Sequence, residues 1–216
     1  MMTATTITVW LPDPGWVKTM GGLPEPMTAD VWTASEELPD SAGEVEIVVI
    51  PFGVPGSRLA VLGKLPKLRL VQLTSAGAER VIAHVPAGVT LCNARGAHDP
   101  AVAEWIMAVI LAQLRSLPDY AEAQRAGTWA PAPSEPLAGQ TALIVGYGSI
   151  GEAVERLLVP FAVRVERVAR HPRPGVSGPG DLQALLPRAD IVILLVPVTP
   201  ATLGLADARF LGAMHD

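Results

Sequence analysis

Cysteine is almost missing: Cys92 stands alone in 216 residues. A single thiol excludes an internal disulfide and fits a reducing cytoplasm. Its plainest role is that of a small buried hydrophobe in a strand rather than a nucleophile. Basic runs are missing as well. With a net charge of −5 and only 17% of residues charged, the chain is a poor candidate for nucleic-acid binding. The longest clean apolar run, 191–198, falls far short of the roughly 20 residues a spanning helix needs, so no membrane role is expected. The opening MMTATTITVW has no basic segment ahead of an apolar one, so it does not read as a secretory signal. What remains is 50% apolar, the composition of one large globular domain or two small ones.

The most informative stretch is TALIVGYGSIG, residues 141–151. Five mostly β-prone residues run into a glycine-rich turn, and the helix-compatible run 152–158 follows. Strand, glycine turn and helix together are the setting in which G-x-G-x-x-G reads as a dinucleotide site. Gly146 permits the tight turn, Gly148 lets a pyrophosphate approach the backbone, and Gly151 lets helix and strand pack closely. The unpaired N–H groups at the helix start then face the phosphates.

Short apolar strands recur through the first hundred residues, at 6–11, 31–33 (weaker), 45–50, 69–74 and 89–93, with plausible helices at 57–65 and 78–84. The unbroken apolar run 45–50 suggests burial on both faces. This alternation argues for an α/β fold with a doubly wound parallel sheet, whose ligands sit beyond the carboxyl ends of strands. The segments there are 51–53, 75–78 and 93–96. The small-residue turn 75–78 either presents backbone N–H groups to a carboxylate or is an ordinary strand-to-helix turn.

Asp99-Pro100 marks a helix start, and Pro118 limits the helix that runs from 101 to about 116. It is apolar almost all round, which predicts burial on more than one side, between domains or against a second subunit. Glu104 interrupts it. Residues 127–136, with prolines at 131, 133 and 136, read as a loop or extended arm.

After the glycine turn comes a strand at 163–168, whose end lacks the acid that binds an NAD ribose. Arg170 and Arg173 stand there instead, able to pair with a 2′-phosphate, which favours NADP over NAD; as solvated loop residues they would say nothing. A short helix at 181–186, a strand at 191–196, the loop 197–202 and a helix from 206 complete the pattern.

The segments 65–81, 89–115, 137–151 and 189–214 resemble the D-isomer-specific 2-hydroxyacid dehydrogenase family. The resemblance implies two doubly wound parallel-sheet (Rossmann/flavodoxin-like) domains, the second incomplete. Residues 1–98 would be the N-terminal part of the substrate domain. Residues 99–216 would be the NAD(P)-binding Rossmann domain, opened by a linking helix at 99–117. It implies Ala76, Gly77 and Ala78 as carboxylate-binding amides, with Phe52 lining the substrate pocket. It implies Ser149, Ile150, Arg170 and Pro197 as cofactor neighbours beside Gly146, Gly148, Gly151, Arg173 and Thr202. The partners implied are a small 2-hydroxy or 2-keto acid and, in the full-length protein, a second copy forming a homodimer. No metal is implied.

The family's catalytic arginine, glutamate and histidine would all fall beyond residue 216, so none is assigned here. His98, near the expected cleft, is given no proton-transfer role. By family the protein is an NAD(P)-dependent dehydrogenase acting on CH–OH, while the 216-residue chain alone is expected to show little or no turnover. The strand expected to pair with 141–145 would also be missing, leaving that strand as an open edge. The alternative, from a different class, is a non-catalytic NAD(P)-binding sensor or corepressor-like scaffold.

Overall fold

The computed structural model describes residues 6–131 and 133–215, and the chain divides into two compact units, Met1–Arg95 and Gly96–Asp216.

The first unit holds β1 (Ile7–Leu11), α1 (Gly15–Thr19), β2 (Met27–Val31), β3 (Val45–Ile50), α2 (Gly56–Leu59), β4 (Leu70–Leu73) and β5 (Thr90–Cys92). The strands form one parallel sheet in the order β2-β1-β3-β4-β5. Strand β3 is buried on both faces: Val48 and Ile50 join the cluster of Trp10, Leu59, Leu62 and Leu73, while Val49 packs with Val9 and Leu11. Trp10 and Trp32 lie with ring centroids 5.7 Å apart, and the Trp10 indole N–H donates to Ser41 Oγ at 2.9 Å.

Three sequence expectations are corrected in this unit. The second strand lies at Met27–Val31 rather than 31–33, and Trp32 is a core residue just past its end. The helix expected over 57–65 is α2 followed by a 3₁₀ turn at Ala60–Lys64, and Pro66 ends it there by setting Leu65 extended. The helix expected over 78–84 is only a turn and a 3₁₀ segment, Ile82–His84. Pro86 likewise sets Val85 extended.

The second unit contains α3 (Asp99–Leu114), α4 (Leu117–Arg125), β6 (Thr141–Val145), α5 (Ser149–Leu158), β7 (Arg164–Val168), α6 (Leu182–Leu185), β8 (Ile191–Leu194) and α7 (Ala208–Leu211). Its sheet has the order β7-β6-β8, parallel throughout. All five residues of β6 are buried. Ala142 and Ile144 pack toward residues of α3 and α5, and Leu143 and Val145 toward Leu182, Leu185 and Phe210.

The expected open edge at β6 is therefore overturned: β6 is the central strand. Residues 176–177 take the outer side of β7 through the parallel bridge Val168↔Ser177, with Ala169 N–H donating to Ser177 O at 3.0 Å. That short bridge stands where a third strand would, and the next full strand, β8, crosses over to pair with β6.

Pro118, read as a stop, also sits in the first turn of α4, with Ser116 at φ 49° forming the joint. Helix α3 buries Ala103, Ile106 and Met107 on one side only. Glu104 is exposed, and so are Trp105 (67%) and Val109 (47%), so the chain itself leaves this face of the helix uncovered. Among the described residues no single helix is long and apolar enough to cross a membrane. Only α3 and α4 counted together across a 63° bend reach that length and composition.

Candidate functional site

The parallel ladder of the second unit sets the carboxyl ends of β6, β7 and β8 level, pairing Val145 with both Val168 and Leu194. Three loops therefore leave the same sheet edge. The glycine turn leaves β6, the arginine loop leaves β7, and the chain at 195–202 leaves β8.

The three glycines of the turn face different surroundings. Gly146 has φ +105°, and a Cβ there would lie 2.6 Å from the Leu195 carbonyl carbon and 2.8 Å from Val196 N. The N–H groups of Gly146 and Tyr147 both donate to Val168 O, at 2.9 and 3.0 Å, tying the turn to the end of β7. At Gly148 a Cβ would meet no protein atom within 4 Å. Gly151 is buried, and a Cβ there would sit 3.2 Å from Ile144 Cγ2 and from Tyr147 Cδ2, so helix and strand are in close contact. Helix α5 starts at Ser149 with no side chain capping it, leaving the amides of its first turn, Ser149 and Ile150 among them, without intrahelical acceptors. Open space at Gly148 beside an uncapped helix start fits a pyrophosphate.

Of the two arginines, Arg170 is exposed and donates from Nε to His171 Nε2 at 3.3 Å. Arg173 donates from Nη2 to the Tyr147 carbonyl at 3.1 Å, lies 5.4 Å from the Tyr147 ring centroid, and comes within 3.8 Å of Glu152. Pro197 is exposed, while Thr202 closes its loop: its hydroxyl donates to Pro197 O at 2.5 Å and accepts from Thr199 N–H at 2.9 Å.

Sequence reasoning missed a polar cluster beneath the turn. The Tyr147 phenol donates to Glu155, which also receives Arg167 Nε at 2.7 Å and Arg167 Nη2. The Arg167 guanidinium lies 5.6 Å from the Tyr147 ring centroid. The Arg167 hydrogen bonds hold the Glu155 carboxyl below its ordinary value, and Glu155 in turn raises Arg167. Burial, then the Glu155 hydrogen bond, push the Tyr147 phenol up. A sign of this cluster was present in β7. Arg167 stands on the strand face of Val163 and Val165, which pack into the core beside α5, so a charge there needs a partner.

In the first unit, a cleft of about 320 Å³ opens beyond β3 and β4, lined by Phe52, Thr74, Ser75, Gly77, Glu79 and Arg80 among others. Phe52 is 82% exposed. Ala76 and Ala78 flank Gly77 in a loop held by Ser75 Oγ donating to Gly77 O at 2.9 Å and Asn93 Nδ2 donating to Ala76 O at 2.8 Å. Because residues 78–84 form no α-helix, the loop gains no helix N-terminus. The Ala78 carbonyl accepts from both Val81 and Ile82 in a single turn.

A parallel sheet with a glycine turn of this geometry defines a dinucleotide-binding α/β domain. Residues 107–216 match the family model described as D-isomer specific 2-hydroxyacid dehydrogenase, NAD binding domain, and the chain belongs to that family of oxidoreductases. The glycerate dehydrogenase of Methylorubrum extorquens is 29% identical over 193 residues, which is 85% of this chain and 60% of that protein. The 2-ketogluconate reductase of Gluconobacter oxydans is 26% identical over 202 residues, covering 89% of this chain and 64% of that protein. The chain thus spans less than two thirds of these relatives. Among solved structures, a D-isomer specific 2-hydroxyacid dehydrogenase family protein from Aeromonas salmonicida superposes with a TM-score of 0.78 at 27% identity, over 96% of this chain and 69% of that one. The enzyme from Xanthobacter autotrophicus Py2, solved with NADPH and MES, gives 0.79 at 23% identity, over 98% of this chain and 70% of its own, a likeness of fold.

Proposed function

We propose that this chain supplies the cofactor site and part of the substrate site of an NADP-preferring reductase, acting on a small 2-keto or 2-hydroxy acid in the cytoplasm. The observation that carries the reading is Gly148: a Cβ there would meet no protein atom within 4 Å. A ten-residue helix starts uncapped beside it. Gly146, Gly148, Ser149, Ile150 and Gly151 would hold the pyrophosphate, with Pro197 and Thr202 bordering the site. Arg170 and Arg173, where an NAD site would carry an acid, would meet a 2′-phosphate. Bound nicotinamide supplies or accepts the hydride. The amides of Ala76, Gly77 and Ala78 would take the substrate carboxylate, with Phe52 over the pocket. Proton transfer is assigned to none of the described residues. A second copy would cover the apolar face of Trp105 and Val109, consistent with a homodimer.

The test is titration of the purified protein with NADPH and NADH, followed by NADPH oxidation assays with glyoxylate, hydroxypyruvate and pyruvate. The reading expects tighter binding of NADPH, and turnover only in a protein that also carries the family's proton-transfer residues. Equal affinity for the two cofactors removes the NADP assignment, and binding of neither removes the site. Robust turnover by the 216-residue chain itself would show that a described residue moves the proton.

A further inference from the structure

We infer that Tyr147, at the second position of the glycine turn, is a positioning residue for cofactor choice. It fixes Arg173 beside the turn, without itself touching the cofactor. The inference deepens the NADP reading above and rests on it.

Arg173 reaches Tyr147 in two ways, a hydrogen bond to its carbonyl at 3.1 Å and a guanidinium 5.4 Å from its ring centroid. The carboxylate beside it, Glu152 at 3.8 Å, is nearly half exposed and holds it only weakly. Tyr147 is itself held at the far end. Its phenol donates to Glu155, whose carboxylate is locked by Arg167 of β7 and whose side chain is only 14% exposed. The chain of contacts runs from β7 through Arg167, Glu155 and Tyr147 back to Arg173, on the loop that follows β7. A guanidinium held in place before the ligand arrives loses less freedom on meeting a phosphate than one swinging in solvent. Arg170, whose side-chain hydrogen bond goes to the exposed His171, lacks such a strut.

The experiment measures dissociation constants for NADPH and NADH in wild type, Tyr147→Leu, Tyr147→Phe, Arg173→Ala and the Tyr147→Leu/Arg173→Ala double variant. Binding of 2′,5′-ADP against 5′-AMP serves as a readout free of nicotinamide. Arg173→Ala should lower the NADPH preference about tenfold or more, the scale of a charge-assisted bond to phosphate. Tyr147→Leu should lower it about three- to tenfold, the scale of a lost cation–π contact and a freed side chain, with NADH affinity unchanged within about twofold. Tyr147→Phe keeps the ring and loses the phenol anchor, so it should fall between. The double variant should be no worse than Arg173→Ala, because Tyr147 acts through Arg173. A preference that survives Tyr147→Leu but not Arg173→Ala overturns the inference and leaves the NADP reading standing. Equal loss of both cofactors in Tyr147→Leu also overturns it, since that is damage to the turn. Wild type without a preference removes the reading and the inference together.

Discussion

Alanine placed at Gly146 and at Gly148 should fail in opposite ways, although the sites are two residues apart. At Gly146 the φ of +105° is foreign to L-residues, and the added Cβ would lie 2.6 Å from the Leu195 carbonyl carbon. Both partners are backbone, so neither gives cheaply. Strain of about 1–3 kcal/mol and overpacking of about 1–3 kcal/mol sum to roughly 2–6 kcal/mol. At about 3 °C per kcal/mol, the second unit should melt roughly 6–18 °C lower. At Gly148 the backbone sits at φ −108°, ψ −157°, open to alanine, and the Cβ meets nothing within 4 Å. Alanine there restricts the unfolded chain and should leave Tm unchanged or raise it slightly, by up to about 1 kcal/mol of stability. It would nonetheless fill the space the pyrophosphate needs, so dinucleotide affinity should fall about tenfold or more. The assay is a thermal melt by circular dichroism paired with NADPH titration by fluorescence. Gly148→Ala with undiminished affinity would falsify the placement of the diphosphate. A Gly148→Ala melt lowered as far as that of Gly146→Ala would refute the steric reasoning.

Glu155→Gln should cost about 1–3 kcal/mol near neutral pH, the scale of breaking a partly buried charged hydrogen bond. Its wild-type carboxyl is held below the ordinary 4.5, so this stability is present above that value and is lost as pH falls through the folded-state pKa. The gap between wild-type and variant melting temperatures should therefore close as the pH falls below 4.5 and through the folded-state pKa, and a constant gap counts against the ion pair. If the proposed homodimer forms through this face, Trp105→Asp should shift the light-scattering mass from dimer to monomer with little change in Tm, since the side chain is 67% exposed; a wild-type monomer, or a dimer unchanged by the substitution, removes this face as the contact. Gly77→Ala puts a Cβ 2.8 Å from the Glu79 carboxylate, a flexible and exposed group, so the fold should be kept. Keto-acid affinity, read from product-analogue titration, should drop about tenfold if the 76–78 amides hold the carboxylate, and unchanged affinity removes them from the site.

The glycine turn was legible because its strand and helix flank it without a gap, and Gly151 packs on Ile144 and Tyr147 of that same unit; the Leu195 and Val196 backbone that crowds Gly146 comes from far along the chain. The first sheet was legible for a similar reason: buried parallel strands such as Val45–Ile50 are continuous apolar runs. Short elements were not. A single parallel bridge at Ser177 has no periodicity, yet it occupies the outer side of β7 while β8 pairs with β6. Proline was read as a stop at 118, whereas the first turn of a helix tolerates it equally well. The Tyr147–Glu155–Arg167 cluster joins a turn, a helix and a strand. Its members meet only once α5 lies against β7, and no local window holds that register.

The cofactor reading depends on strand order as much as on the glycines. With β6 between β7 and β8, the three carboxyl ends are level, and the chain past β8 comes close enough to Gly146 to exclude any side chain there. The same alignment puts Arg173, on the loop that follows β7, within hydrogen-bonding distance of the Tyr147 carbonyl. Had β6 been an edge strand, the turn would have had β7 on one side and solvent on the other, and Gly146 would have had no steric reason to be glycine beyond its φ. The central place of β6 is thus what turns a common sequence pattern into a shaped site. One neighbouring loop narrows the turn, the other supplies the cations, and Gly148 is left open at the middle.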